Sequence, residues 1–267
     1  MELIKNKKDV KNSLMNLLEK YSIPVNSPVE LFGSFQSGAL DLQPGYEFLE
    51  TEEENNHIPL LTWRMRRKFI ELKKILTDNV VEEPCLFRIS CRGSIDKWNL
   101  SSLLYRELDL CEFIGNGKIV SVQATINENE VANLIVKLDN SILCSIEIST
   151  QLPHNSVLQD RHEVIGRRGV ASDLVVDTQV VQSSIYTFTE QGETTYTDTD
   201  MELFGFDNDQ IDHIRAAFHV LKNPAEINKW KQQHERLLYL LKTVFESAKK
   251  LERIKLKTKS IYTNETN

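Results

Sequence analysis

The chain has 267 residues, 40% of them hydrophobic, enough to bury the core of one large domain or two small ones. Its 32 Lys+Arg against 39 Asp+Glu give a net charge of -7, which repels phosphate backbones and anionic membranes, so nucleic acid is set aside. The longest apolar runs, such as residues 237–241, fall far short of the roughly 20 residues of a membrane span, and residues 1–8 lead into a polar helix rather than a signal peptide.

In chain order, Val10, Leu14, Leu17, Leu18 and Tyr21 recur at helical spacing. The helix is expected to stop before Pro24, in a stretch Ile23, Pro24, Val25 that reads as a short strand. Residues 33–56 collect Gly, Pro, Ser and Gln ahead of Glu52, Glu53 and Glu54, the composition of an exposed loop that is ordered only where it packs on something. Residues 63–76 read as an amphipathic helix, with Phe69, Leu72, Ile75 and Leu76 inward and Arg64, Arg66, Arg67 and Lys68 on a solvated face. A strand follows over 85–92, then a helix over 100–114 that ends at Gly115.

Period two dominates the next stretch. Val120, Val122, Ala124 and Ile126 alternate with polar residues, as do Ile142, Cys144, Ile146 and Ile148 with Ser145, Glu147 and Ser149, so each strand buries one face. Further strands are expected at 131–138, 162–165, 170–176 and 184–189, with Asp139-Asn140 as a tight turn, giving a largely antiparallel sheet. After an acidic, Thr-rich connection, Asp207 or Asp209 caps a helix through His219, and Asn223-Pro224 opens a long one. On it Ile227, Trp230, Leu237, Leu241, Val244, Phe245 and Ala248 form one core stripe. The residues after Leu256 are polar and frayed.

The cysteines, Cys85, Cys91, Cys111 and Cys144, are scattered and never in C-x-x-C spacing, which argues for reduced thiols and the cytoplasm. Cys144 reads as a small core hydrophobe. His57, His154, His162, His213, His219 and His234 have no metal-ligand spacing, so no metal site is expected.

Four local patterns carry a resemblance. Arg66-Arg67-Lys68-Phe69 opens a helix and Glu83-Pro84 leads into a strand; Leu108-Asp109-Leu110 with Gly115 ends a second helix. His162-Glu163-Val164-Ile165-Gly166 with Gly169 makes a strand, a Gly-x-x-Gly turn and a strand, and Glu246-Ser247-Ala248 is followed by Ile254. From about Pro84 to Leu256 this order resembles the C-terminal domain of the glucose-fructose oxidoreductase, inositol dehydrogenase and rhizopine-catabolism (Gfo/Idh/MocA) family. The resemblance implies an α+β fold: an open, largely antiparallel sheet with helices on one face, preceded by a helical and loop N-terminal remnant. Residues 1–58 would be that truncated remnant and acidic loop, 59–256 the sheet domain and 257–267 a polar tail. The dinucleotide-binding half is expected to be missing, since no G-x-G-x-x-G occurs and the first glycine is Gly33.

Active members of that family carry a Lys within Glu-Lys-Pro and, on the catalytic helix, an Asp and a His four residues apart. Residues so spaced face the same way, which lets the His take a hydroxyl proton as hydride leaves. Aligned on Asp109 and Gly115, Ser102 stands where the Asp belongs and Arg106 where the His belongs. Arginine stays protonated and cannot act as a base. No Glu-Lys-Pro occurs; Glu82-Glu83-Pro84 lies elsewhere and lacks the Lys, and no His lies between His57 and His154. Lys97 or Asp96 could substitute, against the plainer reading of both as loop charges.

The expected function is that of a non-catalytic relative of sugar oxidoreductases, a binding or scaffold subunit without cofactor. It would form a homo-oligomer through its sheet face, or sit beside a full-length oxidoreductase paralogue. The alternative is an NAD(P)-dependent sugar oxidoreductase, a subunit or fragment whose nucleotide domain lies on another chain or was lost by truncation. Arg106, with Ser102, Arg92, Lys97, Arg167 and Arg168, would then hold an anionic sugar, against the reading of the arginines as surface residues. A third reading is a ligand-sensing regulator that keeps a sugar pocket without turnover.

Overall fold

The computed structural model describes residues 7–25, 28–31, 39–50, 56–173, 184–189, 192–197, 203 and 205–256. The chain divides into two compact units, Met1–Arg66 with Leu174–His234, and Arg67–Asp173 with Glu235–Asn267. The 58/59 boundary implied by the resemblance falls inside the first of these units. Residues 174–176 of the strand expected over 170–176 lie outside the described residues, as do residues 52–54 and the tail over 257–267.

The first unit is built on helix α1 (Lys7–Lys20) and a three-stranded parallel sheet, β1 (Val29–Glu30), β2 (Leu40–Pro44) and β3 (His57–Leu60), in that order. The periodic residues of α1, Val10, Leu14, Leu17 and Leu18, are all buried, as their spacing requires. Two expectations are corrected. Ile23, Pro24 and Val25 form no strand. The stretch read as loop instead contributes β2 and a 3-10 turn, Gly45–Phe48, because Leu42 and Phe48 are buried and draw the backbone between them into order.

Helix α4 (Asn208–Lys222) packs on α1 and on a 3-10 turn over Thr62–Met65. Of the two candidate caps, Asp207 caps it, in a capping box: its carboxylate accepts from the Gln210 N–H at 2.8 Å and Gln210 Oε1 accepts from the Asp207 N–H at 3.2 Å. Asp207→Ala is expected to cost about 1 kcal/mol, read from urea unfolding monitored by circular dichroism. An unchanged midpoint would show that the box contributes nothing. Arg66, expected on a solvated face, instead donates to Asp212 Oδ2 at 2.7 Å and to Asp209 at 2.9 Å.

In the second unit, six strands line up as β11-β5-β6-β7-β4-β8. They are β4 (Glu82–Ser94), β5 (Ile119–Asn127), β6 (Val131–Leu138), β7 (Leu143–Leu152), β8 (Gln159–Ser172) and β11 (Ile254–Lys255). All neighbours are antiparallel except β4 and β7, so the sheet is largely antiparallel as expected. An antiparallel hairpin of β9 (Ser184–Thr189) and β10 (Gly192–Thr197) belongs to the first unit.

Helix α2 (Arg67–Thr77) starts later than its pattern suggested, after the 3-10 turn, and buries Phe69 and Leu72. Helix α3 (Leu100–Gly115) packs on α2, β4, β6 and β7. Its first turn is capped by Asn99, whose Oδ1 accepts from the Ser102 N–H at 2.7 Å. Its end lies so close to β6 that a Cβ on Gly115 would sit 2.5 Å from Leu138 Cδ1. Helix α5 (Ala225–Lys250) changes unit between His234 and Glu235. On its second half Ser247 is fully buried; its Oγ accepts from the Ala124 N–H at 3.1 Å and donates to the Glu252 carbonyl at 2.6 Å. No described helix is long and apolar enough to cross a membrane.

Register explains the core. One row across the inner face reads Ala124, Leu134, Ile146, Ile89 and His162 on consecutive strands, all buried. The matching outer row reads Gln123, Ile135, Ser145, Arg88 and Glu163. The alternation seen in the sequence therefore holds across five strands, with a single polar side chain on the apolar row. That side chain is His162.

Candidate functional site

Helix α3 is buried on almost every side: 14 of its 16 residues are buried, Arg106, Glu107, Asp109 and Glu112 among them. A buried charge must be paired or it costs several kcal/mol. Glu112 is held by Arg236 at 2.6 Å, by Lys118 at 3.0 Å and by the Ile119 N–H at 2.8 Å. The middle of the helix builds a larger cluster.

Arg106, 2% exposed, donates from Nη1 to Glu107 Oε1 and from Nη2 to Asp160 Oδ2. Lys68 Nζ donates to Asp160 Oδ1 at 2.5 Å and to Asp173 Oδ2 at 3.0 Å. His162 joins the two halves: Nε2 lies 3.0 Å from Glu107 Oε2 and Nδ1 lies 3.0 Å from Asp173 Oδ2. The His162 backbone N–H also donates to Asp173 Oδ1 at 2.7 Å. Aromatic rings roof the cluster. Phe69 meets His162 edge-on at 4.7 Å, and the guanidinium of Arg106 lies 5.3 Å from the same ring centre.

The protonation states follow from the partners. An ionised carboxylate only accepts, so an imidazole facing one at each nitrogen must donate from both and is therefore the imidazolium. Burial opposes that charge, but Glu107 and Asp173 outweigh it and hold the His162 pKa above its ordinary 6.5. Burial likewise pushes Glu107 and Asp160 upward, and the facing Arg106 more than reverses it in both, leaving each below the usual carboxylate range. Lys68, Arg106 and His162 then balance Asp160, Glu107 and Asp173, three charges against three.

Asp160, His162 and Asp173 also bring three donor atoms within 4.8 Å of one another, an arrangement that histidine spacing in the sequence could not reveal. The place a metal ion would take is held by the Lys68 ammonium, in contact with both carboxylates.

The sequence candidates are dispersed. Ser102 and Arg106 share α3, and Arg106 is committed to two carboxylates rather than open to an anionic sugar. Arg92 is exposed and lines a shallow depression on the outer sheet face with Ser90, Asn133 and Glu147. Lys97 is an exposed loop residue, and Asp96 accepts from the Asn155 N–H. Arg167 and Arg168 pair at the surface with Glu83 and Glu82. The site residues that were missed are Lys68, Glu107, Asp160 and Asp173, with His162 noticed only as part of a turn motif. The reading of Lys68 on a solvated face is corrected, and a histidine does reach helix α3, through the sheet rather than along the chain.

No family model and no curated protein sequence matches the chain. Solved structures do. A probable dehydrogenase of Thermotoga maritima is 16% identical at a TM-score of 0.52, over 73% of this chain and 63% of that one. A structure assigned as a myo-inositol dehydrogenase of Sinorhizobium meliloti is 18% identical at 0.54, over 75% and 65%. A myo-inositol 2-dehydrogenase of Lactobacillus plantarum is 11% identical at 0.53, over 74% and 64%. The chain thus spans less than two thirds of the length of these proteins, and what it shares with them is the fold.

Proposed function

We propose that the chain is a non-catalytic relative of these dehydrogenases, a binding or scaffold subunit that works through the outer face of its sheet and uses no nicotinamide cofactor. The observation that carries this reading is the state of Arg106. At the position where the resemblance expects a proton-accepting His, the chain has a buried guanidinium committed to Glu107 and Asp160. His162, which reaches helix α3 at Glu107, is fully buried and doubly paired, so it has no lone pair to offer a hydroxyl. The outer face supports the binding role. Ile135 and Leu143 are 52% and 42% exposed on it, beside Ser145, and Arg88 and Glu163 pair across it at 3.3 Å.

Two measurements test this reading. Light scattering is expected to find a dimer that Ser145→Lys weakens; a monomer at high concentration contradicts the sheet-face role. Absorbance of reduced cofactor is expected to stay flat with NAD or NADP and a panel of polyols, for the natural chain and for a Ser102→Asp/Arg106→His double variant. Turnover by the natural chain contradicts the non-catalytic reading.

A further inference from the structure

The chain enters the second unit at Arg67 and leaves it at Asp173. One ion pair joins these two points: Lys68, one residue inside the entry, donates to Asp173, the exit residue, at 3.0 Å. Asp173 is otherwise tied to His162, by the two bonds already described and by its own N–H, which donates to the His162 carbonyl at 3.0 Å. We propose that Lys68, His162 and Asp173 form an electrostatic clasp on the entry and exit of this unit, kept shut by the imidazolium and opened at Asp173 when His162 loses its proton. The inference does not depend on the proposed function.

Every element around His162 except β4 contributes a charge to its state. Lys68 comes from α2, Arg106 and Glu107 from α3, Asp160 from β8 itself and Asp173 from the exit; β4 adds the thiol of Cys91, 3.7 Å from Arg106 Nη1, and the apolar ring of Phe87. Removing one proton leaves three carboxylates against two cations and turns one imidazole nitrogen into a lone pair aimed at a carboxylate. The strain can be relieved at only one end. Glu107 is fixed in the middle of a buried helix and held by Arg106, so the remaining ring proton stays on Nε2, toward it. Asp173 terminates the unit, and its other partner, Lys68, is 29% exposed on a flexible stem. The repulsion therefore falls on Asp173, and releasing it relaxes the exit while β8 stays paired to β4 through Asp160, His162 and Val164.

Amide hydrogen exchange of the full chain, corrected for the intrinsic effect of pH, tests the clasp. Losing a charge-assisted hydrogen bond is expected to speed exchange over residues 170–173 by about tenfold or more as pH rises from 7 to 10, against little change over 131–138. His162→Gln, neutral at every pH, is expected to exchange fast over 170–173 from the start and to lose the pH dependence. Lys68→Met, at a partly exposed position, is expected to speed exchange at the exit while the pH dependence remains. Equal acceleration over 131–138, or a pH dependence that survives in His162→Gln, overturns the proposal. Should His162→Gln not fold, absence of any acceleration at the exit in Lys68→Met overturns it equally.

Discussion

Replacing Arg106 by Met is expected to destabilise the second unit by about 3–5 kcal/mol, because it strands the buried carboxylates of Glu107 and Asp160 without their shared cation. The loss exceeds the packing term, since methionine fills much of the same volume. Urea unfolding followed by circular dichroism measures it, with Arg167→Met as the control: that residue pairs with Glu83 at the surface, 71% exposed, and is expected to cost about 0.5 kcal/mol or less. If the two variants lose the same stability, Arg106 is not compensating buried charge.

The second large effect is with pH. The raised folded pKa of His162 means that its stabilising contribution is complete below the ordinary imidazole value of 6.5 and is lost as pH rises through the folded value. The carboxylates run the other way. Glu107, Asp160 and Asp173 have depressed folded values, so their contribution is present above the normal carboxylate range and is lost as pH falls through those values. The second unit should therefore show an alkaline limb set by His162 and an acid limb set by the carboxylates. Unfolding free energies at pH 6.5, 8 and 9.5 check the alkaline limb, which His162→Gln should flatten. A natural chain whose stability is unchanged from pH 6.5 to 9.5 would contradict the imidazolium.

The sheet was legible because period-two alternation is a local signal: the apolar positions of β6 and β7, Val122 and Ala124 of β5 and the turn at Asp139-Asn140 lie where the pattern puts them, whereas a register irregularity between Ile119 and Ser121 leaves Val120 half-buried and buries Ser121 instead. Strand β2 was not, because only Leu40 and Leu42 stand out among Asp41, Gln43 and Pro44, and its order comes from pairing with β1 and β3. The site was harder. Arg106 could be singled out by its place on a helix, but Asp160, which it pairs with, and His162 and Asp173, which complete the cluster, lie more than 50 residues further along and are brought there by the register of β8 on β4. Lys68 was misplaced because helical spacing says which face a side chain takes, not whether an acidic group waits there.

Under the proposed function, helix α3 is closed by its own ions rather than open to a substrate hydroxyl and a nicotinamide. Isothermal titration calorimetry of the purified chain with NAD and with NADP tests that most directly. No saturable heat is expected with either. Binding at micromolar affinity would contradict the proposed function.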